Sequence, residues 1–405
     1  MKRFFQPVHK PDTVPLACAT NANSTIEDRI VSDLEAPDNK RVRAGSAEPC
    51  TFLSWNLNGL ACRLNEHHNW TKFEELVREL SPDVIALQEV RHPAGPPSSS
   101  GERQRGVLGG DPKNKTHIKE RDMIRGALRR APFDQYNVWW SLEDKKYAGT
   151  AMLIKASTPP ARVRHRLDDQ AGHDKDGRVI LAEYDNLLVL NTYVPNNGTN
   201  SQSFLRRKDW EAKAEAFVKA VDKPLVWIGD LNVAHTDNDV THPEFFRKQC
   251  PAANPENAGQ PGFTPLEQQQ FSNMLAVGGL CDAFRHLHPE RELDTDKPAW
   301  TWRGTPPGKY YGRAMRIDYS LISRSLICRL RKAEILGYGK DRTGYMGSDH
   351  SPIALELSIH EEKDQTRVAA PHNYHIGVVE QSCQSRREDC RTCRWRVCQS
   401  NSIIP

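Results

Sequence analysis

The chain has 405 residues, 38% of them hydrophobic, and a formal net charge of +4. That is enough apolar material for one large core or two modest ones, and so mild a basic excess permits a nucleic-acid partner without demanding one. The start, Met1-Lys2-Arg3-Phe4-Phe5-Gln6-Pro7, is broken by charge and proline, and no later run is long enough to span a bilayer, so neither a secretory signal nor a membrane span is expected.

Residues 1–48 are polar and show neither helical nor strand periodicity, which reads as a disordered arm. The texture changes at Thr51. Thr51 to Leu60 reads as a strand leaving a core and ending in a polar turn. Trp70, Phe73, Leu76, Val77 and Leu80 recur at helical spacing, and Ser81-Pro82-Asp83 stops that helix. Val84 to Val90 is a second buried strand with Glu89 at its far end. Residues 93–131 interrupt the pattern. Ala94 to Gly110 is rich in Gly, Pro and Ser and reads as a flexible excursion, and Asn114 to Arg130 as a basic helix facing either solvent or phosphate.

Strand-like runs resume at Tyr136–Ser141, Gly149–Ile154, Arg178–Tyr184 and Leu187–Val194, and a helix over Phe204–Val221 follows. Leu225 to Ile228 is then a short apolar run suited to a strand buried on both faces. Gly229 lets the backbone turn, and Asp230 and Asn232, two residues apart, leave the strand end on one side. The carboxylate can take a proton or bind a metal, and the amide can orient water or a phosphate oxygen. In isolation Gly-Asp-x-Asn reads better as a loop-closing Asx turn, and the other strand ends are what overturn that reading. Further on come Gly262-Phe263-Thr264-Pro265, a helix around Glu267–Gly278, and Asp282 with Arg285, a structural ion pair or a support for the site. Trp300-Thr301-Trp302 opens a loop rich in Gly, Pro and Tyr that runs into Arg316-Ile317-Asp318-Tyr319. Gly347-Ser348-Asp349-His350 and a final strand to about Ile359 close the domain. Strands at hairpin spacing mixed with long helices predict two sheets sandwiched between helices over residues 49–360.

Asn56, Asn58, Glu89, Tyr193, Asn196, Asp230, Asn232, Asp318, Asp349 and His350 all sit at predicted strand ends. So many polar groups would each need a partner if buried without purpose. The donors are nearly all oxygen, which favours a hard cation, magnesium or manganese, over zinc. Such an ion binds phosphate, lowers the pKa of an attacking water and offsets charge at phosphorus.

The motifs Ser-Trp-Asn-x-Asn-Gly-Leu at 54–60, Leu-Gln-Glu-Val at 87–90, Tyr-Val-Pro-Asn at 193–196 and Gly-Asp-Leu-Asn-Val-Ala-His at 229–235 come in a set order. Gly-Phe-Thr-Pro at 262–265, Arg-Ile-Asp-Tyr at 316–319 and Gly-Ser-Asp-His at 347–350 complete that order. Over Thr51 to Ile359 the chain resembles the exonuclease III / AP endonuclease branch of the DNase I-like metal phosphodiesterases. The resemblance implies an α/β four-layer sandwich of two mixed β-sheets flanked by helices. It implies a Mg2+-dependent DNA repair nuclease, with Mn2+ as a substitute. Its substrate would be duplex DNA with abasic sites or damaged 3′ ends. Glu89 matches the principal magnesium ligand, with Asn58 and Asp349 nearby or sharing a second metal position. Asp230 matches the group that activates water, Asn232 and Asn56 those that orient water and phosphate, and Tyr193 and Asn196 phosphate contacts. His350, held by Asp318, matches the imidazole at the scissile phosphate, and Asp230, Asn232 and His350 are also counted among the metal's neighbours.

Departures bear on substrate. Thr199 and Ala61 stand where some members carry arginines, with Arg63 two positions after Ala61. Met315 takes the place of the aromatic that lines an abasic-sugar pocket and is expected, with Trp300, to contact DNA, while Trp300, Trp302, Tyr310 and Tyr311 are candidates for stacking surface. Trp55, Trp227 and His235 are expected to be structural. Phe4-Phe5 beside Lys2 and Arg3 loosely resembles the end of a sliding-clamp-binding peptide without its upstream glutamine. The tail from about Glu361 is basic, and its Cys390-x-x-Cys393 is half a zinc site, read as part of a disordered segment or as a small zinc-organised grip. The scattered cysteines fit reduced intracellular thiols. A monomer is expected, in the nucleus first and in a mitochondrion as the alternative. A retroelement-type nicking endonuclease and a non-catalytic DNA-binding scaffold remain as rivals.

Overall fold

Alternation along the strands explains both the layering and the place of the site. In the computed structural model, which describes residues 47–359 apart from Ser100, Asp169, Ala253, Arg291 and Thr295, two six-stranded sheets face each other. The arm's clamp-like Phe4-Phe5 and the cysteine-containing tail lie outside the described residues. In chain order the first strands are β1 (Thr51–Asn56), β2 (Val84–Gln88), β3 (Tyr136–Ser141), β4 (Thr150–Lys155), β5 (Arg162–Arg164), β6 (Val179–Glu183) and β7 (Leu188–Tyr193). The later ones are β8 (Leu225–Asp230), β9 (Leu280–Asp282), β10 (Trp302–Arg303), β11 (Ala314–Met315), β12 (Asp318–Ser323), β13 (Leu330–Ile335) and β14 (Ile353–Leu357). One sheet runs β13-β14-β1-β2-β4-β3, the other β5-β6-β7-β8-β12-β9, and β10 and β11 form a separate hairpin.

The helices are α1 (Leu60–Asn65), α2 (His67–Leu80), α3 (Lys115–Leu128), α4 (Ser201–Ala220), α5 (Pro243–Arg247), α6 (Pro265–Val277) and α7 (Ala283–Leu287). Two of them begin earlier than periodicity alone suggests, because a polar cap outranks the first apolar residue. Asn200 and Ser203 form a capping box that starts α4, and Thr264 and Glu267 form another that starts α6 with Pro265 in its first turn. Asn114 caps α3 by accepting from the Thr116 and His117 amides. The excursion before it is pinned by bridges between Ala94 and Leu108 and between Pro97 and Arg103.

Leu53 and Trp55 of β1 and Ile85 and Leu87 of β2 point outward to Trp70, Phe73 and Val77 of α2 and Ile124 of α3. Leu225 and Trp227 of β8 and Leu321 of β12 point outward to Trp210 and Phe217 of α4 and Phe271 of α6. Phe52, Val84, Ala86, Val189, Val226, Ile228 and Ile322 fill the space between the sheets, each large one contributing roughly 1.5–3 kcal/mol. The result is the expected four-layer sandwich. Trp55 and Trp227 are core, as expected, and His235 packs on Phe271 with its Nε2 at 2.8 Å from Ser272 Oγ.

The inner face changes character along each strand. Phe52 gives way to Ser54 and Asn56, Val84 and Ala86 to Gln88, Val189 to Asn191 and Tyr193, and Val226 and Ile228 to Asp230. Antiparallel β12 runs the other way, from Asp318 through Ser320 to Ile322, so its polar end meets theirs. Register fixes the match, with Asp318 opposite Asp230, Tyr193 beside Asp230 and Asn56 beside Gln88. One end of the inter-sheet layer is therefore polar. No helix among the described residues is long and apolar enough to cross a membrane.

Candidate active site

The polar end gathers its side chains from both sheets. Asn56 is fully buried, and its Nδ2 donates to Glu89 Oε1 at 3.1 Å and to Asp230 Oδ2 at 2.8 Å. One amide thus holds a carboxylate from each sheet. His350 stands on the loop before β14. Its amide donates to Ser348 Oγ, which in turn donates to the Asn56 carbonyl, and its own carbonyl accepts from Trp55 Nε1. These bonds aim the ring so that Nδ1 lies 2.9 Å from Asp318 Oδ2 and Nε2 lies 3.9 Å from Asp230 Oδ2.

Local backbone makes the convergence possible. Glu89, Asn58 and Asn232 take left-handed conformations (φ 52°, 50° and 49°), which a β-strand cannot continue. The turn at Glu89 is held because its carbonyl accepts from Gly59 N at 2.8 Å while Val90 N donates to the Gly149 carbonyl. Gly229 (φ 139°) is required, since a Cβ there would stand 2.2 Å from the Thr192 carbonyl oxygen on neighbouring β7. Thr301 Oγ1 accepts from the amides of Ile317 and Asp318, both at 3.0 Å, and so fixes the start of β12.

Charge then sets protonation. Burial pushes Asp230 up to about 7, and the facing Asp318 adds to this, while His350 and the Asn56 bond oppose it. Burial alone would lower His350, yet the Asp318 carboxylate and its hydrogen bond, with Asp230 and Asp349, carry the imidazole well above its usual value. The Tyr193 phenol is raised well above 10 by burial and by Glu89 and Asp230, so it stays protonated and donates to Glu89. Asp349 is held below the usual carboxylate range against its burial, by His350 and by hydrogen bonds from Asn58 Nδ2 (2.7 Å) and Trp302 Nε1 (3.1 Å).

Asp230, Asp318 and His350 each offer a ligand atom within 4.8 Å of the others. Asp318 Oδ1 is buried without a hydrogen-bond partner, and Asp230 is held above its ordinary range although His350 stands beside both acids, so the cluster has unused acceptor capacity. Together with Glu89 and the neighbouring amides this is an oxygen-rich donor set that fits a hard divalent cation. Asp318, expected only as the partner of His350, belongs to this group.

The matching family model, described as endonuclease/exonuclease/phosphatase, spans residues 53–350. The chain belongs to that family. A DNA-(apurinic or apyrimidinic site) endonuclease of Arabidopsis thaliana is 40% identical over 386 residues, covering 91% of this chain and 100% of the relative. The DNA repair nuclease APEX1 of Danio rerio is 31% identical, covering 80% and 87%. These relatives place the chain in the AP endonuclease branch, as its motifs led us to expect, and make it a hydrolytic nuclease. The fold is shared with the AP endonuclease LMAP of Leishmania major (TM-score 0.55, 19% identity, 83% of this chain and 99% of that one). It is shared too with the 3′-5′ exonuclease NExo of Neisseria meningitidis (TM-score 0.53, 24% identity, 76% and 99%).

Asn56, Glu89, Tyr193, Asp230, Asp318 and His350 thus meet. Asn58 and Asp349 form an adjoining pair, and Asn196 Nδ2 donates to Asn232 Oδ1 at 3.1 Å beside them. Two expected DNA contacts do not fit. Trp300 is 1% exposed, packed against Ala299 and Ala314, and Met315 is 3% exposed among Phe246 and Phe263. Neither presents a free face, because the β10–β11 hairpin turns these side chains into its own small core. Tyr310 is likewise stacked on Phe246, and Tyr311 is the exposed aromatic of that loop.

Sequence reasoning missed two supports. Arg178 is 2% exposed and packs its guanidinium 4.7 Å from the Tyr193 ring centroid. Arg207 of α4 is buried, and its Nη1 donates to the carbonyls of Pro195, Leu231 and Asn232, tying the Asn196 and Asn232 loops together. The signal for both was an arginine at a position where periodicity requires an apolar residue. Of the two readings of Asp282 and Arg285, the direct ion pair does not form: Asp282 accepts from Arg316 Nη2 at 2.6 Å, and Arg285 pairs with Asp239.

Proposed function

We propose that this chain hydrolyses the phosphodiester 5′ to an abasic site in duplex DNA and trims blocked or mispaired 3′ ends at the same site, in base excision repair. Magnesium is the ion of this reading, with manganese as a substitute. The observation that carries it is the Asn56 amide shared between Glu89 and Asp230 beside a charged His350. A bound divalent ion on the Glu89 and Asp230 side would neutralise charge at the phosphate and activate water.

The protein's own groups do the rest. Asp230, held near 7, takes the proton of the attacking water. The His350 imidazolium, kept charged by Asp318, stabilises the oxyanion that develops at phosphorus. Asn56 fixes the relative position of the two carboxylates, and Asn232 and Asn196 orient the phosphate. The Tyr193 phenol remains a donor throughout, because its environment forbids the phenolate.

The test incubates the parent and Asp230→Asn with magnesium on two duplexes, one with an abasic analogue and one with a mispaired 3′ end. The parent should cut both and the variant should be slower by on the order of 10²–10⁴. Equal product from both proteins would remove Asp230 from its role, and parent cleavage confined to the mispaired end would remove the abasic substrate.

A further inference from the structure

Behind the His350 loop lies a second polar cavity of about 280 Å³, between α2 and residues 341–348. Asn69 and Lys72 of α2 line one wall, and Arg342, Gly344, Met346 and Gly347 line the other. We infer that this cavity is a binding site for a phosphate-type oxyanion, which adjoins the catalytic cluster at Ser348 but contains none of its reacting groups.

Three observations carry the inference. The first is unspent positive charge. Lys72 is exposed and makes no hydrogen bond or ion pair with any described residue, and Arg342 uses only Nη1, on the Ser348 carbonyl at 3.2 Å. Asp341 lies on the same wall, leaving the cations in excess by one. The second is the backbone. Gly344, Met346 and Gly347 have φ of 81°, 49° and 85°, and their amides donate to nothing among the described residues. Only the Tyr345 amide within this turn is used, on the Arg342 carbonyl, and free amides in such a turn form a concavity that suits an anion.

The third observation is Arg63, the arginine that stands two positions after Ala61. It is 7% exposed, and its Nε and Nη1 have no hydrogen-bond partner. Its Nη2 pairs with Glu66 at 3.2 Å. Nη1 lies 2.3 Å from where a Cβ on Gly347 would stand, with Asn69 Nδ2 at 2.8 Å and Glu66 Oε2 at 2.1 Å from the same point. The bare face of Gly347 therefore touches a buried guanidinium with spare donors, and no side chain fits between them. Arg63 stands behind the Gly347 wall and adds positive potential to a cavity lined by Lys72 and Arg342, and a polyvalent oxyanion accepts several charge-assisted hydrogen bonds at once.

A DNA backbone phosphate and free inorganic or nucleotide phosphate share this chemistry. Inorganic phosphate is titrated into the full-length protein at constant ionic strength, with amide NMR shifts of Gly344, Met346 and Gly347 and the melting temperature as readouts. In parallel, duplex affinity is measured from 50 to 200 mM salt. The parent should show saturable shifts and a raised melting temperature. The Lys72→Glu/Arg342→Glu variant should lose both and keep its turnover at saturating substrate within about twofold of the parent. Lys72→Met, which removes no internal bond, should weaken phosphate several-fold and guards against a folding artefact. A salt slope reduced by about 1–2 in the double variant assigns the site to DNA backbone, and an unchanged slope with lost phosphate response assigns it to the free anion. A parent without these shifts, or variants that respond as the parent does, would overturn the site. Neither binding readout requires turnover, so failure of the proposed reaction leaves this inference standing or falling on its own.

Discussion

Asp230 and Asp239 are each 1% exposed and stand close together in the sequence, yet their surroundings drive them in opposite directions. Asp239 accepts from Arg316 Nε at 2.9 Å, Arg285 Nη2 at 2.6 Å and the Thr236 amide and hydroxyl at 2.9 Å. Burial alone would raise it, but Arg316 and Arg285 outweigh burial and hold it at about 2. Asp230 faces Asp318 and Glu89 and is raised to about 7. Burial is the same for both, so the sign of the neighbours decides. The 239 region spends its carboxylate on cohesion. The 230 region keeps its carboxylate unsettled, which is the condition of a group able to exchange protons near neutral pH.

That contrast can be broken by exchanging each acid for its amide. Asp230→Asn should lose on the order of 10²–10⁴ in cleavage rate while its melting temperature stays level or rises, because a repulsive pair is removed. A fall in both together would merge the two regions into one structural class. Asp239→Asn leaves Arg316, 1% exposed, with Asp282 as its only remaining anion, and should cost about 3–5 kcal/mol in urea unfolding. A loss under about 1 kcal/mol would mean that the network is ornamental.

Acid sharpens the same comparison. Asp239 has a folded pKa below its unfolded one, so its stabilisation is complete above the ordinary carboxylate range and disappears as pH falls from about 4 to about 2. The shift corresponds to about 2 kcal/mol. Unfolding of the parent and of Asp239→Asn, followed across that range, should converge at the acid end, and parallel curves would refute the linkage. The smallest effect is expected at the rim, where Trp302→Phe removes the donor to Asp349 Oδ2 and keeps the ring. One neutral-donor bond is worth about 1 kcal/mol, so kcat/KM should fall by roughly tenfold or less with stability little changed. An unchanged kcat/KM would detach Asp349 from the site.

Much of the architecture was legible because alternation is a local signal. Phe52-Leu53-Ser54-Trp55-Asn56 states in five residues which side chains meet helices and which meet the opposite sheet. The strand-end acids followed from the same rule. What stayed hidden depends on contacts far apart in the chain. Trp300 read as a stacking surface and Met315 as a DNA contact because their loop looks exposed in sequence, whereas Trp300 packs with Ala299 and Ala314 and Met315 with Phe246 and Phe263. Arg207 stands at an apolar-periodic position of its helix, but the three carbonyls its guanidinium reaches lie on other segments and leave no trace in the local sequence. The true partners of Asp282 and Arg285 were hidden for the same reason, since Asp239 and Arg316 arrive from distant turns.

Asn56 grips one acid from each slab of the sandwich, so the spacing of the reactive groups is inherited from the apolar filling between the slabs. A methyl group deleted deep in that filling, at Ile228 or Val189 for instance, touches no reacting atom. It would nonetheless let the halves settle by a fraction of an ångström and detune the amide's two-handed hold. Activity in this protein is thus sensitive to its interior upholstery well before the fold itself gives way.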